Sequence, residues 1–432
     1  MYSKVSSAKV AKGILKPFYV RYRLALILLF TLMVAYIDRV NVSVLVVDPV
    51  FLTDMGISTD PVAKGMLMTV FLICYGGGMI ILSPVGDWLG PRKAMLIAVS
   101  FWAIAMIWGG FAAGFISILL SRALLGLGEA LHYPMQNSFV KNWFPAHERG
   151  KANAVWLIGV NVAPMIAMPL FTWLVPVYGW RFSFFMLAVI GTVPLFLLYK
   201  YTADHPHLYK KITKEEQNYI EAALQVEKDR ETKQEKSSAW ELILMVIKDY
   251  RVWMLVVAYT GISSIYWGTL SWLPSYLKEA RGFSWATMGY LSSLPFILAI
   301  VVKLIAGHCA DKMGYPARFM VVGLFGSAVF IFLGAYAQNN YLAAVLISCG
   351  VGTLAMATPC SWSVLQQIVP SKAAGTSAGI MSGVAHAISA LSPVLVGFLI
   401  NLTHSYVGGL MYMVGWGFFG AVASLVLVLK KY

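Results

Sequence analysis

Long apolar stretches alternate with short polar ones along most of the chain. Twelve of them approach or exceed the length of about 20 residues that a helix needs to cross a bilayer. They cover residues 24–47, 62–84, 94–115, 117–140, 152–175, 183–200, 252–277, 285–308, 318–338, 341–367, 373–399 and 407–429. Because lipid offers backbone groups no hydrogen-bond partner, segments of this length are expected to be helical. The pattern predicts an all-α polytopic membrane protein with twelve transmembrane helices.

One stretch interrupts this alternation. Residues 201–251 are polar and hold 10 of the 19 acidic residues of the chain. Within them, TKEEQNYIEAALQ has the spacing of an amphipathic surface helix, with Thr213 as its N-cap. The sequence therefore predicts a six-helix bundle over 1–200, a charged cytoplasmic linker over 201–251 and a second six-helix bundle over 252–432.

Composition agrees with a membrane protein, since 59% of the residues are hydrophobic and only 12% are charged. The net charge of +14 is unevenly distributed, and residues 1–23 alone hold six Lys or Arg and no acid. Basic residues also concentrate in the loops on that side, a bias typical of the cytoplasmic face. We therefore expect both termini in the cytoplasm and no nucleic-acid partner. No metal-ligand or cofactor spacing is present, so no cofactor is predicted.

Two loops repeat a pattern. SPVGDWLGPRK at 83–93 follows the second apolar stretch, and GHCADKMGYPAR at 307–318 follows the eighth. The second copy fits G-x-x-x-D-[RK]-x-G, whereas the first has Ser83 and Trp88 in place of the first Gly and the basic residue. This pattern resembles the signature of the major facilitator superfamily. The resemblance implies two bundles around a central site, with a gating role for four loop residues: Asp87, Arg92, Asp311 and Lys312.

Charged residues are rare inside the apolar stretches, and four of them, in the first and fourth stretches, stand out because each stretch holds both an acid and a base. Asp38 and Arg39 lie in the first, and Arg122 and Glu129 lie in the fourth. A charge at the bilayer centre costs about 2.5–3.5 kcal/mol, so such residues usually face a partner or a cavity. Counting helical rise from the segment ends places Asp38 and Arg122 at similar depth. This predicts an Asp38–Arg122 pair and leaves Arg39 and Glu129 as the second pair.

Three interpretations of these charges compete. The first interpretation is that the charges form two purely structural ion pairs, but buried pairs stabilise less than apolar packing does. An enzyme site is another, but the sequence has no nucleophile set, H-E-x-x-H motif or phosphate loop. The third is a coupled transporter, in which an arginine binds an anionic substrate and a carboxylate takes up and releases a proton. We favour the transporter, and we predict no enzymatic activity.

Further motifs narrow the resemblance. YIDRVNVSV, RALLGLGEALHYPMQNSFVKNWFPAHERG and WLPSYLKEARGFS resemble the anion:cation symporter family of sugar-acid carriers. The resemblance implies proton-coupled uptake of a small carboxylate or sugar acid by a monomer in a bacterial inner membrane. It makes Asp38 and Glu129 the proton-carrying acids and Arg39 the substrate-binding cation. Tyr36 and Tyr75 would line the pocket.

The sequence departs from those carriers where sugar hydroxyls would be bound. Val160, beside Asn161, replaces a frequent glutamine, and Ser382 and His386 replace two asparagines. Asn161, Trp362, Ser382 and His386 remain candidates for substrate binding, while His386 and His132 are equally compatible with neutral packing. An exporter of a carboxylate metabolite or siderophore, and a transporter-like sensor, are the alternative functions.

Overall fold

The computed structural model describes residues 20–231, 239–370 and 373–430, which are almost entirely helical. Twelve long helical units, labelled here α1 to α12, correspond to the twelve apolar stretches. They are α1 Val20–Leu45, α2 Pro61–Leu89, α3 Pro91–Gly110, α4 Phe115–Trp143, α5 Ala146–Tyr178, α6 Trp180–Tyr201, α7 Tyr250–Ser275, α8 Trp285–Met313, α9 Pro316–Tyr336, α10 Asn340–Ile368, α11 Ala374–Thr403 and α12 Tyr406–Leu429. Eleven are long and apolar enough to span a membrane on those grounds alone. The other, α7, is 26 residues long, richer in Ser, Tyr and Trp, and mostly buried.

Four of these helices are interrupted along their length. The breaks lie at Leu131 in α4, Ile158 in α5, Ala355–Met356 in α10 and Ala390–Leu391 in α11. In each half, the interrupted helices are the fourth and the fifth: α4 and α5 in the first half, α10 and α11 in the second. Broken helices near the midplane commonly frame transporter sites, because they free backbone groups and turn side chains inward.

The linker contains two helices that pack on different halves. In the first, Lys214–Glu231, the buried Glu216 accepts hydrogen bonds from the backbone N–H groups of Val20 and Arg21 at 3.0 and 3.2 Å. Glu227 of the same helix binds Arg149 through two 2.7 Å contacts, which hold the pKa of Glu227 below its usual value. The second, Ala239–Lys248, packs on α7 and α11. The two linker helices therefore belong to different halves, while the domain limits given above stay a prediction.

The two halves meet tightly at one end, opposite the chain termini. A Cβ added to Gly65 of α2 would lie 2.4 Å from the Pro393 carbonyl oxygen of α11, and one added to Gly397 would lie 2.3 Å from the Pro61 oxygen. Only glycine allows backbones to approach so closely. We call this contact of α2 with α11 the seam.

Polar contacts reinforce the seam. The backbone N–H of Val394 donates to the Thr69 hydroxyl at 3.2 Å. Beside it, the buried Lys64 ammonium of the first half pairs with Glu279 of the second half at 3.0 Å, and Tyr406 donates to the same carboxylate. Helix α2 of the first half is thereby joined to the turn Tyr276–Ala280, which follows α7, at this end of the molecule.

At the end that carries the termini, the corresponding surfaces of the same two helices are separated. A Cβ added to Gly77 of α2, or to Gly375, Gly379 or Gly383 of α11, would meet no atom within 4 Å beyond its own helix. The structure is therefore closed at the seam and open between α2 and α11 at the terminal end.

The seam yields a prediction. Gly65→Ala should disfavour the closed end, because its methyl group would collide with the Pro393 carbonyl, whereas Gly77→Ala on the same helix meets nothing. Spin labels at the exposed Ser58 and Asn401, in a chain without its four cysteines, would report the separation by pulsed electron resonance. We expect Gly65→Ala to add a population at longer distance and Gly77→Ala to match the parent. Identical distributions would show that the seam does not control this end.

Candidate functional site

A buried ion pair stands at the centre of the first half. Arg39 of α1 and Glu129 of α4 are 1% and 0% exposed, and the Arg39 Nη2 and Nε atoms lie 2.7 and 2.8 Å from one Glu129 oxygen, Oε2. The other oxygen, Oε1, has no hydrogen-bond partner among the described residues. The predicted Arg39–Glu129 pair is confirmed, and it leaves one carboxylate oxygen uncommitted.

Aromatic rings surround the Arg39 guanidinium. Its central carbon lies 4.3 Å from the ring centroid of Tyr36, 4.7 Å from Tyr75, 5.1 Å from Phe71 and 5.8 Å from Trp267. Rings at these distances attract a cation through their negative faces, most strongly where water is excluded. Trp267 belongs to α7, so the second half contributes one wall. The predicted pocket residues Tyr36 and Tyr75 do lie beside Arg39.

The predicted direct contact between Asp38 and Arg122 is wrong. Both side chains are fully buried, yet neither Asp38 oxygen has a hydrogen-bond partner, and the structure forms no ion pair between the two within its described part. Arg122 instead turns to α2, where its Nε donates to the Leu67 carbonyl at 3.3 Å and its guanidinium lies 4.8 Å from the Phe71 ring. The structure thus buries both charges in the first half without a direct contact between them.

The candidates of the second half form a separate group. The His386 ring lies 5.9 Å from that of Tyr259, which lies 5.8 Å from that of Trp362. The Ser382 hydroxyl donates to its own helix at the Ala378 carbonyl, so it is not directed at a ligand here. In the first half, Asn161 is buried three residues after the break in α5.

His132 is packed as a neutral ring would be. It is fully buried next to Trp102, and its Nε2 lies 3.1 Å from the Gln136 amide, which also donates to the Leu28 carbonyl of α1. The histidine thus helps to fasten α4 to α1, one turn from Glu129.

The predicted gating residues are dispersed in this state. Asp87 is exposed, and Arg92 contacts the end of α6, donating its backbone N–H to Asp204 at 2.7 Å and its guanidinium to the Tyr199 carbonyl. Lys312 is exposed, and the side chain of Asp311 lies outside the described residues. Their gating role stays a prediction.

Sequence reasoning missed the aromatic neighbours Phe71, Trp267 and Tyr259. Phe71 could have been found from its i, i+4 spacing to Tyr75, which places both rings on one face of α2. Trp267 and Tyr259 gave no such signal, because lipid-facing and cavity-facing aromatic residues look alike in a spanning helix.

Comparison with known proteins identifies the class. Residues 28–393 match the model of the Major Facilitator Superfamily, and the chain belongs to that family of membrane transporters. Two solved structures have the same fold. One is a bacterial homologue of the human lysosomal transporter Spinster, with a TM-score of 0.75, 18% identity and 95% and 96% of the two chains covered. The other is a D-xylose–proton symporter, with a TM-score of 0.72, 16% identity and 94% and 96% covered.

Three similar curated proteins bear the names of organic-anion transporters. A probable sulfoacetate transporter of Cupriavidus necator is 28% identical, with 91% of this chain and 90% of that protein covered. A probable galactarate/D-glucarate transporter of Bacillus subtilis is also 28% identical, with 95% and 92% covered. A D-galactonate transporter of Escherichia coli is 26% identical, with 96% of each covered. The predicted fold class, the transporter class and the resemblance to sugar-acid carriers are thereby confirmed.

The buried pair yields a stability prediction. Glu129→Leu leaves the Arg39 charge buried without its partner, which should lower the free energy of unfolding by about 3–5 kcal/mol. Arg39→Leu/Glu129→Leu removes both charges and should recover most of that loss, since apolar packing replaces a buried pair at little cost. Thermal unfolding in one detergent would compare these variants. A double variant as unstable as the sum of the two single variants would contradict the pairing.

Proposed function

We propose that the protein is a proton-coupled symporter that takes up a small organic anion, a carboxylate, sugar acid or related sulfonate, by alternating access. It would act as a monomer in a bacterial inner membrane with both termini in the cytoplasm. The observation that carries the proposal is the Arg39 guanidinium, buried between two halves and compensated by a single carboxylate. The names of the relatives, carriers of sulfoacetate, galactarate and galactonate, support the anionic substrate.

Arg39 is suited to this role by its chemistry. A guanidinium presents donors in a planar fork that matches carboxylate and sulfonate groups. Here that fork is held by aromatic faces on several sides, so its position is fixed while its charge stays available. An arriving anion would take the place of the Glu129 carboxylate rather than require a new cation.

Glu129 supplies the coupling. Once the substrate competes for Arg39, Glu129 becomes a buried carboxylate without its partner, a state so costly that it takes up a proton. Its Oε1 atom already lacks a partner within the described structure and offers the site for that proton. Substrate and proton would then favour each other's binding, as linkage requires. Asp38, equally buried, is proposed as the second proton carrier, and Arg122 as the cation that controls it.

The substrate-binding role predicts the behaviour of Arg39→Ala. This variant should lose binding of every anion that the parent binds, because the described part of the site presents no other guanidinium toward Tyr36 and Tyr75. Arg318→Ala, which alters an exposed arginine outside the site, should bind normally. Quenching of tryptophan fluorescence across a panel of carboxylates and sulfonates would measure both. Parent-level affinity in Arg39→Ala would refute the assignment.

The coupling role predicts a separation of two activities. Glu129→Gln imitates the protonated acid, so it should still bind substrate and exchange it between the two sides of a membrane. It should fail to concentrate substrate on a pH gradient, because no proton can leave the amide. Counterflow and gradient-driven uptake would be measured in the same proteoliposomes. Accumulation by Glu129→Gln at the parent level would remove this residue from proton coupling.

A further inference from the structure

The second linker helix, Ala239–Lys248, exposes a row of large apolar side chains. Trp240, Leu244 and Ile247 are 65%, 37% and 45% exposed. Their spacing of four and then three residues puts them on one face, within about 60° of each other around the helix axis. We call these three residues the linker stripe. A contiguous apolar row on a protein surface commonly marks a contact with a partner or a membrane.

The other sides of this helix have different surroundings. Val246, about 120° around the axis from the stripe, is buried, so this side is the one that packs on α7 and α11. Glu241 and Lys248 lie about 90° from the stripe in the opposite sense and are exposed. The stripe therefore lies between a protein-facing side and a polar side. This is the arrangement of a helix that lies at a membrane–water interface beside other helices.

The packing of α7 on α12 fixes the height of this region relative to the membrane. A Cβ added to Gly261 of α7 would lie 2.8 Å from the Trp416 carbonyl oxygen of α12. One added to Gly420 of α12 would lie 3.5 Å from the Cα atom of Ala258 of α7. The two helices run antiparallel, so these contacts define which of their residues stand at equal height.

The linker helix joins α7 at the height where the apolar part of α12 ends. That part ends at Leu429, nine residues after Gly420, and Lys430 follows. Nine residues before Ala258 stands Asp249, the residue that precedes α7, so Asp249 and Leu429 are level. An apolar helix that ends in lysine ends where the side chain can reach the headgroups. The junction of the linker helix with α7 therefore lies at the membrane boundary.

The linker helix stays at this boundary. The backbone of Asp249 is extended, with φ −86° and ψ 106°, so the chain turns between the two helices. Trp253, in the first turn of α7, donates its indole N–H to the Ile247 carbonyl at 2.8 Å. That bond holds the end of the linker helix against α7, where the rings of Tyr250 and Trp253 are also exposed. Aromatic side chains at this height are typical membrane anchors.

We propose that the second linker helix lies in the surface of the bilayer, at the end of the molecule that carries the termini, with the linker stripe inserted among the lipid chains. The charged residues of 239–251 are two acids and two bases: Glu241, Asp249, Lys248 and Arg251. Because their charges cancel, the contact is apolar and requires no anionic headgroup. The inference depends neither on the solute that is carried nor on the coupling to protons.

Nitroxide labels at single cysteines test this placement. Leu244→Cys and Ile247→Cys probe the stripe, and Glu241→Cys and Lys248→Cys probe the polar side, in the full chain with its four native cysteines replaced. Each labelled protein is reconstituted in nanodiscs of neutral lipid and, separately, in nanodiscs with added anionic lipid. The collision rate with oxygen, which concentrates in lipid, is compared with that of a water-soluble nickel chelate.

Two further sites calibrate the ratio of the two collision rates. Ile104→Cys, on the exposed face of α3, is the lipid reference, and Ser58→Cys, in an exposed loop, is the water reference. We expect the oxygen-to-nickel ratio of the labels at 244 and 247 to shift to the lipid reference in both kinds of nanodisc. The labels at 241 and 248 should stay at the water reference.

A charge placed in the stripe should reverse this shift. Ile247→Asp should cost the label at 244 most of its shift toward the lipid reference, because a carboxylate is poorly tolerated among lipid chains. Lys248→Asp, which makes the same side chain on the polar side, should leave the label at 244 unchanged. Thermal unfolding of each protein should match the parent, because every altered side chain is exposed.

Three results would contradict the proposal. Water-like ratios for both stripe labels would place the helix outside the bilayer. A lipid-like ratio confined to the anionic nanodiscs would indicate recognition of a charged headgroup in place of apolar insertion. Low collision rates with both reagents, or spectral broadening by a second nitroxide, would show that protein covers the stripe, as in a contact between two copies of the chain.

Discussion

The need to compensate the charge of Arg39 inside the membrane governs the rest of the site. A guanidinium with 1% exposure would be prohibitive alone, and here Glu129 and several aromatic faces share the compensation. Such a pair contributes little net stability, because desolvation cancels most of its attraction. What it does provide is a cation that is available to a ligand but never unpaired. Under the proposed function, an anion enters as a replacement for Glu129, so substrate binding and the protonation state of this carboxylate are connected.

Helix α2 connects the surroundings of Arg39 with the closed end of the molecule. Phe71 and Tyr75 of α2 contact Arg39, and Gly65, six residues before Phe71, lies in the seam. That separation is about 9 Å along one rigid helix. Any rotation of α2 against α11 would therefore disturb contacts in which a single methyl group has no room. Glycine contacts of this kind have two discrete states, packed or separated, and they do not deform gradually.

The features that could be predicted from the sequence are those that depend on composition and on helical rise. The rare intramembrane charges indicated the candidate site, and the rise per residue along α1 and α4 predicted the Arg39–Glu129 ion pair. Depth along a helix says nothing about rotation around it, which is why Arg122 was assigned to Asp38 when its guanidinium turns to Leu67 and Phe71. The breaks in α4, α5, α10 and α11 were also not predicted, although three of them lie two to four residues before a proline, where the proline disrupts the preceding helical turn. The linker sequence predicted its first helix, but not that Glu216 would bind the start of α1.

The four buried charges, taken together, limit the stoichiometry of transport under the proposed function. Arg39 and Arg122 supply two positive charges, and Asp38 and Glu129 supply two negative ones, so the set is formally neutral when empty. Asp38 and Arg122 lack a direct contact, whereas Arg39 and Glu129 are paired directly. A monoanion entering this set makes it negative in a region where net charge is most costly, and one proton restores neutrality. Under the proposed function, a dianion would demand two protons or a further cation. The charge balance of these four side chains would then link each negative charge that is carried to one proton.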